Sequence, residues 1–104
     1  MNTFTVNHKR YTAKAFDFNL VCDLDDAGYS LADISKKPLS IIRVYFALCA
    51  DLDKEEAGKE IEAHMRDGGS LSVIQNAMSK EMSASDFFQT LNKRAETENQ
   101  SSEE

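Results

Sequence analysis

The segment that most restricts how this chain can fold is Pro38–Ala50, PLSIIRVYFALCA. Only Ser40 and Arg43 interrupt its apolar surface. Proline suits the first turn of a helix, where a missing N–H leaves no bond unmade. A helix that is apolar nearly all round is buried or lies at a subunit contact. The pattern therefore predicts a central helix around which the rest of the chain is arranged. With 104 residues there is room for one domain that buries roughly 60–70% of its unfolded surface. Tryptophan is absent, so the core must be built from Leu, Ile, Val, Phe and Met.

The flanking segments supply partners for that helix. In TFTVNHKRYTAKA, Phe4 and Val6 alternate with threonines, and Tyr11 follows a short polar break. This predicts a β-hairpin, though without an Asn-Gly turn signal. A hairpin this short must lay one face on helices to persist. Residues 17–27 read as a helix capped by Asp17, with Leu20, Val21, Leu24 and Ala27 as its apolar stripe and Gly28 as its stop. Residues 29–37 form a connector anchored by Leu31 and Ile34. Residues 53–67 read as a charged helix facing solvent. Asp53 and Glu56 have capping-box spacing, Ala57, Ile61 and Met65 form a narrow stripe, and Gly68-Gly69 ends it. Ser70 can cap a last helix carrying Leu71, Ile74, Ala77, Met78 and Met82. Ser83 and Asp86 either cap a further helix or interrupt a single long one.

Charge and cysteine narrow the function. The formal net charge is −6, but Glu96, Glu98, Glu103 and Glu104 leave the body with 14 of the 18 acids against 12 bases. Residues 1–95 are expected to form the domain, and 96–104 a disordered acidic tail with no apolar residue. The body has no basic face, which argues against nucleic-acid binding through phosphate neutralisation. No apolar run approaches the roughly 20 residues of a membrane span, and the N-terminus MNTFTVNHKR lacks the apolar core of a secretory signal. Cys22 and Cys49 then read as reduced, buried thiols of a cytoplasmic protein.

No constellation in the chain matches catalysis. The run from Asp23 fails as a calcium loop, because Ala27 and Ile34 stand where the fifth and twelfth ligands belong. Asp51 to Glu56 lacks the loop glycine, and its acids suit a helix start. Glu60 and His64 lie four apart, with no second histidine near them in sequence, and read as an exposed helix-surface pair. Neither cysteine has the local signature of a thiol nucleophile. Gly68-Gly69-Ser70 matches no phosphate-binding fingerprint. No catalytic, cofactor-binding or metal-binding residue is expected, and no cofactor.

The expected site is a protein-binding one. Phe87 and Phe88 are adjacent, so on a helix they point about 100° apart and one stripe cannot easily bury both. Phe87, Phe88 and Leu91, with Met78 and Met82 from the preceding turns, form the candidate partner-binding set.

The order of segments resembles the tail assembly chaperones of long-tailed bacteriophages. The matching stretches are TFTVNHKRYTAKAFDF, LVCDLDDAGYSL, IIRVYFALCADLDKEEA and GGSLSVIQNAMSKEMSASDFFQTL, which together span most of residues 4–91. The resemblance implies a non-enzymatic protein of the host cytoplasm that is not part of the mature virion. It implies binding to the tape-measure protein, contact with the tail-tube protein, and homo-oligomerisation. Many such chaperones are also made in a longer, frameshifted form, and the polar tail 96–104 would suit that junction.

The expected fold is thus α+β: a mostly helical small domain with an N-terminal β-hairpin packed on about four helices. The expected function is that of a tail assembly chaperone. The alternative is a small helical regulator or inhibitor, of phage or bacterial origin, that acts by protein–protein binding.

Overall fold

The computed structural model describes residues 2–30, 33–91 and 93, with only the backbone of Ser35. The expectations for Leu31, for the end of the domain near residue 95 and for the tail 96–104 fall outside that range. The architecture is α+β, as the sequence predicts. Two antiparallel strands, β1 (Thr3–Val6) and β2 (Lys9–Thr12), precede the helices. The helices are α1 (Phe18–Asp26), α2 (Asp33–Lys36), α3 (Pro38–Ala50), α4 (Lys54–Arg66) and α5 (Ser72–Ala84), with further helical backbone over 86–91.

α3 is the centre. Ile41, Ile42, Val44, Tyr45, Phe46 and Ala47 are buried along it, and two adjacent rings divide the neighbours between them. The Phe46 ring meets Phe4 and Tyr11 edge-on, with centroids 6.2 and 5.1 Å away. Phe4 and Tyr11 are themselves a cross-strand pair of the hairpin. Tyr45 stacks on Phe16 at 5.4 Å and donates its hydroxyl proton to the Lys14 carbonyl at 2.6 Å. Phe16 in turn takes the edge of Phe88 at 5.1 Å. The hairpin, the α1 approach and the C-terminal segment thus all reach two adjacent residues of one helix.

The helix ends follow the sequence closely. Asp17 accepts from the Leu20 N–H and Asp53 from the Glu56 N–H, at 2.9 and 2.8 Å. Gly28 and Gly68 both take positive φ. Each sits in a double hydrogen-bonded stop: Gly28 and Tyr29 donate to Asp25 and Leu24, Gly68 and Gly69 to Met65 and His64. Within the connector, the Ser30 N–H and hydroxyl donate to the Asp33 carboxylate ahead of α2, which holds that carboxyl below its ordinary value.

Other expectations change. Ala27 lies at the end of α1 and is exposed, not part of the core stripe. Met65 likewise leaves the stripe of α4 and is 48% exposed. Ser70 accepts from the Ser72 N–H in a turn just before α5, and Leu71 stands at the cap position. The break after α5 is made by Ser85, not by Ser83 or Asp86, so residues 70–91 form two helical pieces. The Ser85 hydroxyl donates to the Phe16 carbonyl at 2.6 Å and accepts from the Phe88 N–H at 3.0 Å. One side chain thus caps the last helical piece and ties it to the segment before α1.

The Glu60–His64 pair is the largest difference. It is not a free surface pair, because it grips the hairpin turn. Asn7 donates its backbone N–H to His64 Nδ1 at 3.1 Å and its side-chain amide to Glu60 at 2.8 Å. His64 Nε2 faces the Ser70 carbonyl at 3.1 Å. With Nδ1 accepting, Nε2 must carry the proton and donate. Gly69 is required beside that ring, since a Cβ there would fall 2.3 Å from an imidazole carbon.

The turn itself is a two-residue loop in which Asn7 and His8 both have positive φ, 51° and 67°. That is the I′ geometry whose twist suits a hairpin. Asn, His and Asp tolerate it better than most residues, but glycine is better still. His8→Gly should therefore stabilise the fold by about 0.5–1 kcal/mol, read as a higher urea midpoint. A lower midpoint would mean that the exposed His8–Asp67 pair outweighs the backbone strain.

Candidate interaction site

The predicted partner-binding residues separate by burial. Phe88 and Met78 are core residues, 7% and 4% exposed, and in this conformation they offer nothing to a partner. Met82 and Leu91 are half-buried. Phe87 is 38% exposed and meets Phe18 edge-on at 5.9 Å. Phe18 is 64% exposed. It lies two residues from the core residue Leu20, about 200° round the helix, so it faces away from the core. Phe18 and Phe87 form one exposed aromatic surface. Phe18 was legible in the sequence as a residue off the α1 stripe, but the pairing with Phe87 was not.

A second surface lies between α3 and α4. Leu39, Ile42 and Arg43 form its wall on α3, at spacing that keeps them on one helical face. Gly58, Ile61 and Met65 form the opposing wall on α4, and Leu71 lies at its edge. The groove encloses about 390 Å³. Leu39 is 67% exposed, high for a leucine beside an apolar cleft. Gly58 keeps the cleft wide: a Cβ there would touch only Arg43 Cδ, at 3.7 Å.

The groove arises because one stripe of α3 is longer than its cover. Leu39, Ile42, Arg43 and Phe46 follow i, i+3, i+4, i+7 spacing and share a face. The hairpin rings cover Phe46. The Leu39 end of the same stripe opens into the groove.

Arg43 is the unusual member. Its Nε is sealed from water and has no hydrogen-bond acceptor. Glu62, also on the groove, is engaged by Arg66 on its own helix.

Cys22 and Cys49 are free and half-buried. Burial raises the Cys49 thiol, which makes it a poor nucleophile at neutral pH, and burial also raises the Tyr45 phenol. Among the described residues, no three His, Cys, Asp or Glu side chains group to hold a metal, and no helix is long and apolar enough to cross a membrane. No protein-family model, curated protein or solved structure matches the chain.

The two phenylalanines should respond differently to truncation. Phe88→Ala should cost about 3–5 kcal/mol as a core cavity, whereas Phe87→Ala should cost less than about 1 kcal/mol. Denaturant unfolding of both variants measures the difference. Equal large losses would place both rings in the core.

Proposed function

We propose that this chain is a tail assembly chaperone of a long-tailed bacteriophage, which binds the tape-measure protein and keeps it soluble while tail-tube subunits polymerise around it. The proposed role is non-enzymatic and belongs to the host cytoplasm. The order of segments over residues 4–91 suggests the family. The observation that carries the reading is the open apolar groove between α3 and α4.

A long helical client exposes apolar stripes before it is packaged. A protein that shields it needs a cleft in which such a stripe can lie, read by residues at i, i+3, i+4 and i+7. Leu39, Ile42, Ile61 and Met65 line a cleft of that kind. The same protein must stay soluble with the cleft empty. Lys54, Glu55, Lys59, Glu62 and Arg66 on α4 put charge on the exposed faces beside it. Homo-oligomerisation belongs to the same reading, and the Phe18–Phe87 surface lies on other elements, leaving the groove free.

Co-expression with a fragment of the tape-measure protein from the same genome tests the reading. The fragment should become soluble and co-purify with the chain. Gly58→Met should place a side chain across the groove and abolish both effects. That variant should keep or slightly raise the melting temperature, since leaving glycine in a helix interior gains about 0.7–1 kcal/mol. A fragment that stays insoluble beside the wild-type chain contradicts the chaperone function.

A further inference from the structure

We propose that Arg43 is a recognition residue, which selects a client helix carrying a carboxylate beside its apolar stripe. That the occupant is a helix rests on the chaperone reading. That it carries an acid at this point rests on the groove itself.

A guanidinium nitrogen sealed in an apolar wall is costly, because it loses water and gains no acceptor in return. Proteins offset this with a carboxylate partner or several acceptors. Arg43 has neither: no ion pair or hydrogen bond engages it among the described residues, and its Nε is sealed without an acceptor. Among the described residues the one acid on the groove, Glu62, is held by Arg66 in an i,i+4 pair. Arg43 is also badly placed for a merely solubilising charge. It shares a helical face with Leu39, Ile42 and Phe46, where an aliphatic residue would extend the core.

The groove therefore has an apolar lining with one unpaired positive charge in its α3 wall. The complementary occupant is an amphipathic helix that lays leucine-like side chains against Leu39, Ile61 and Met65. It also delivers one Glu or Asp to Arg43. With the helix seated, that carboxylate meets the outer nitrogens of a guanidinium whose Nε is already stripped of water. The pair then forms at lower desolvation cost and gains the strength of charge-assisted hydrogen bonds. A helix with a lysine at the same place would meet like charge and be rejected. Arg43 thus sets both the register and the sequence preference of an otherwise permissive apolar contact.

The test uses the full chain and three synthetic amphipathic helices of roughly 20 residues, long enough to hold helical structure. Each carries leucines at i, i+3, i+4 and i+7, and they differ only in one residue beside that stripe: Glu, Gln or Lys. Binding is followed by fluorescence anisotropy. The Glu peptide should bind about tenfold more tightly than the Gln peptide, the increment expected of one charge-assisted pair, and the Lys peptide more weakly than either. In Arg43→Gln the Glu preference should vanish while binding of the Gln peptide persists. Circular dichroism and thermal melting should show Arg43→Gln to be folded, and Arg43→Lys should retain a reduced preference.

Equal binding of Glu and Gln peptides, a preference that survives Arg43→Gln, or no binding of any peptide would overturn the assignment. Co-expression separates this from the broader function. If Arg43→Gln solubilises the tape-measure fragment as well as wild type does, the role of Arg43 fails and the chaperone function stands. If wild type fails to solubilise it, the chaperone function fails whatever the peptides show.

Discussion

The fold depends on the pair Tyr45–Phe46. Consecutive residues on a helix diverge by about 100°, so these two rings face different neighbours while both are fully buried. Phe46 receives the hairpin through Phe4 and Tyr11. Tyr45 receives Phe16, and through it Phe88. The Tyr45 hydroxyl is satisfied by the Lys14 carbonyl, which fixes the segment between the hairpin and α1. Segments far apart in sequence thus converge on two adjacent positions. A two-stranded hairpin is marginal alone, and here it is held by that contact, by α5 packed on β1 with Asn2 donating to the Ala77 carbonyl at 3.0 Å, and by the Glu60–His64 grip on its turn.

The same geometry leaves work undone elsewhere on α3. The hairpin strands are four residues each, and their rings reach the Phe46 end of a stripe that continues through Arg43 and Ile42 to Leu39. α4 approaches the uncovered end but meets it with Gly58, which supplies no side chain. An aliphatic residue at 58 would close the gap and favour the helix. Its absence leaves a cleft with exposed Leu39 and Met65 at its margins.

What could be read from the sequence was what depends on near neighbours. The central helix, the Asp17 and Asp53 caps and the stops at Gly28 and Gly68 are set by residues within one or two turns. What could not be read depends on contacts across the fold. Ser85 rather than Ser83 makes the C-terminal break because its hydroxyl reaches the Phe16 carbonyl, 69 residues away. Glu60 and His64 looked like an exposed pair because their partner, Asn7, lies 53 and 57 residues upstream. Adjacent phenylalanines announced that one must face outward, but only the position of Phe16 decides that Phe88 turns in. Arg43 interrupts an apolar helix in the sequence, but the lack of an acceptor at its Nε depends on packing across the fold.

The proposed place for a client helix is the Leu39 end of the α3 stripe. Site-specific photo-crosslinking tests it most directly. A benzoylphenylalanine placed in turn at Leu39, Met65, Phe18 or Phe87, with one at exposed Ser83 as control, would be irradiated in cells that also make the tape-measure fragment. The account predicts crosslinks to the fragment from Leu39 and Met65 and none from Ser83. Crosslinks from Phe18 or Phe87 with none from Leu39 or Met65 would contradict it, because the client would then lie on the aromatic surface and the groove would be empty.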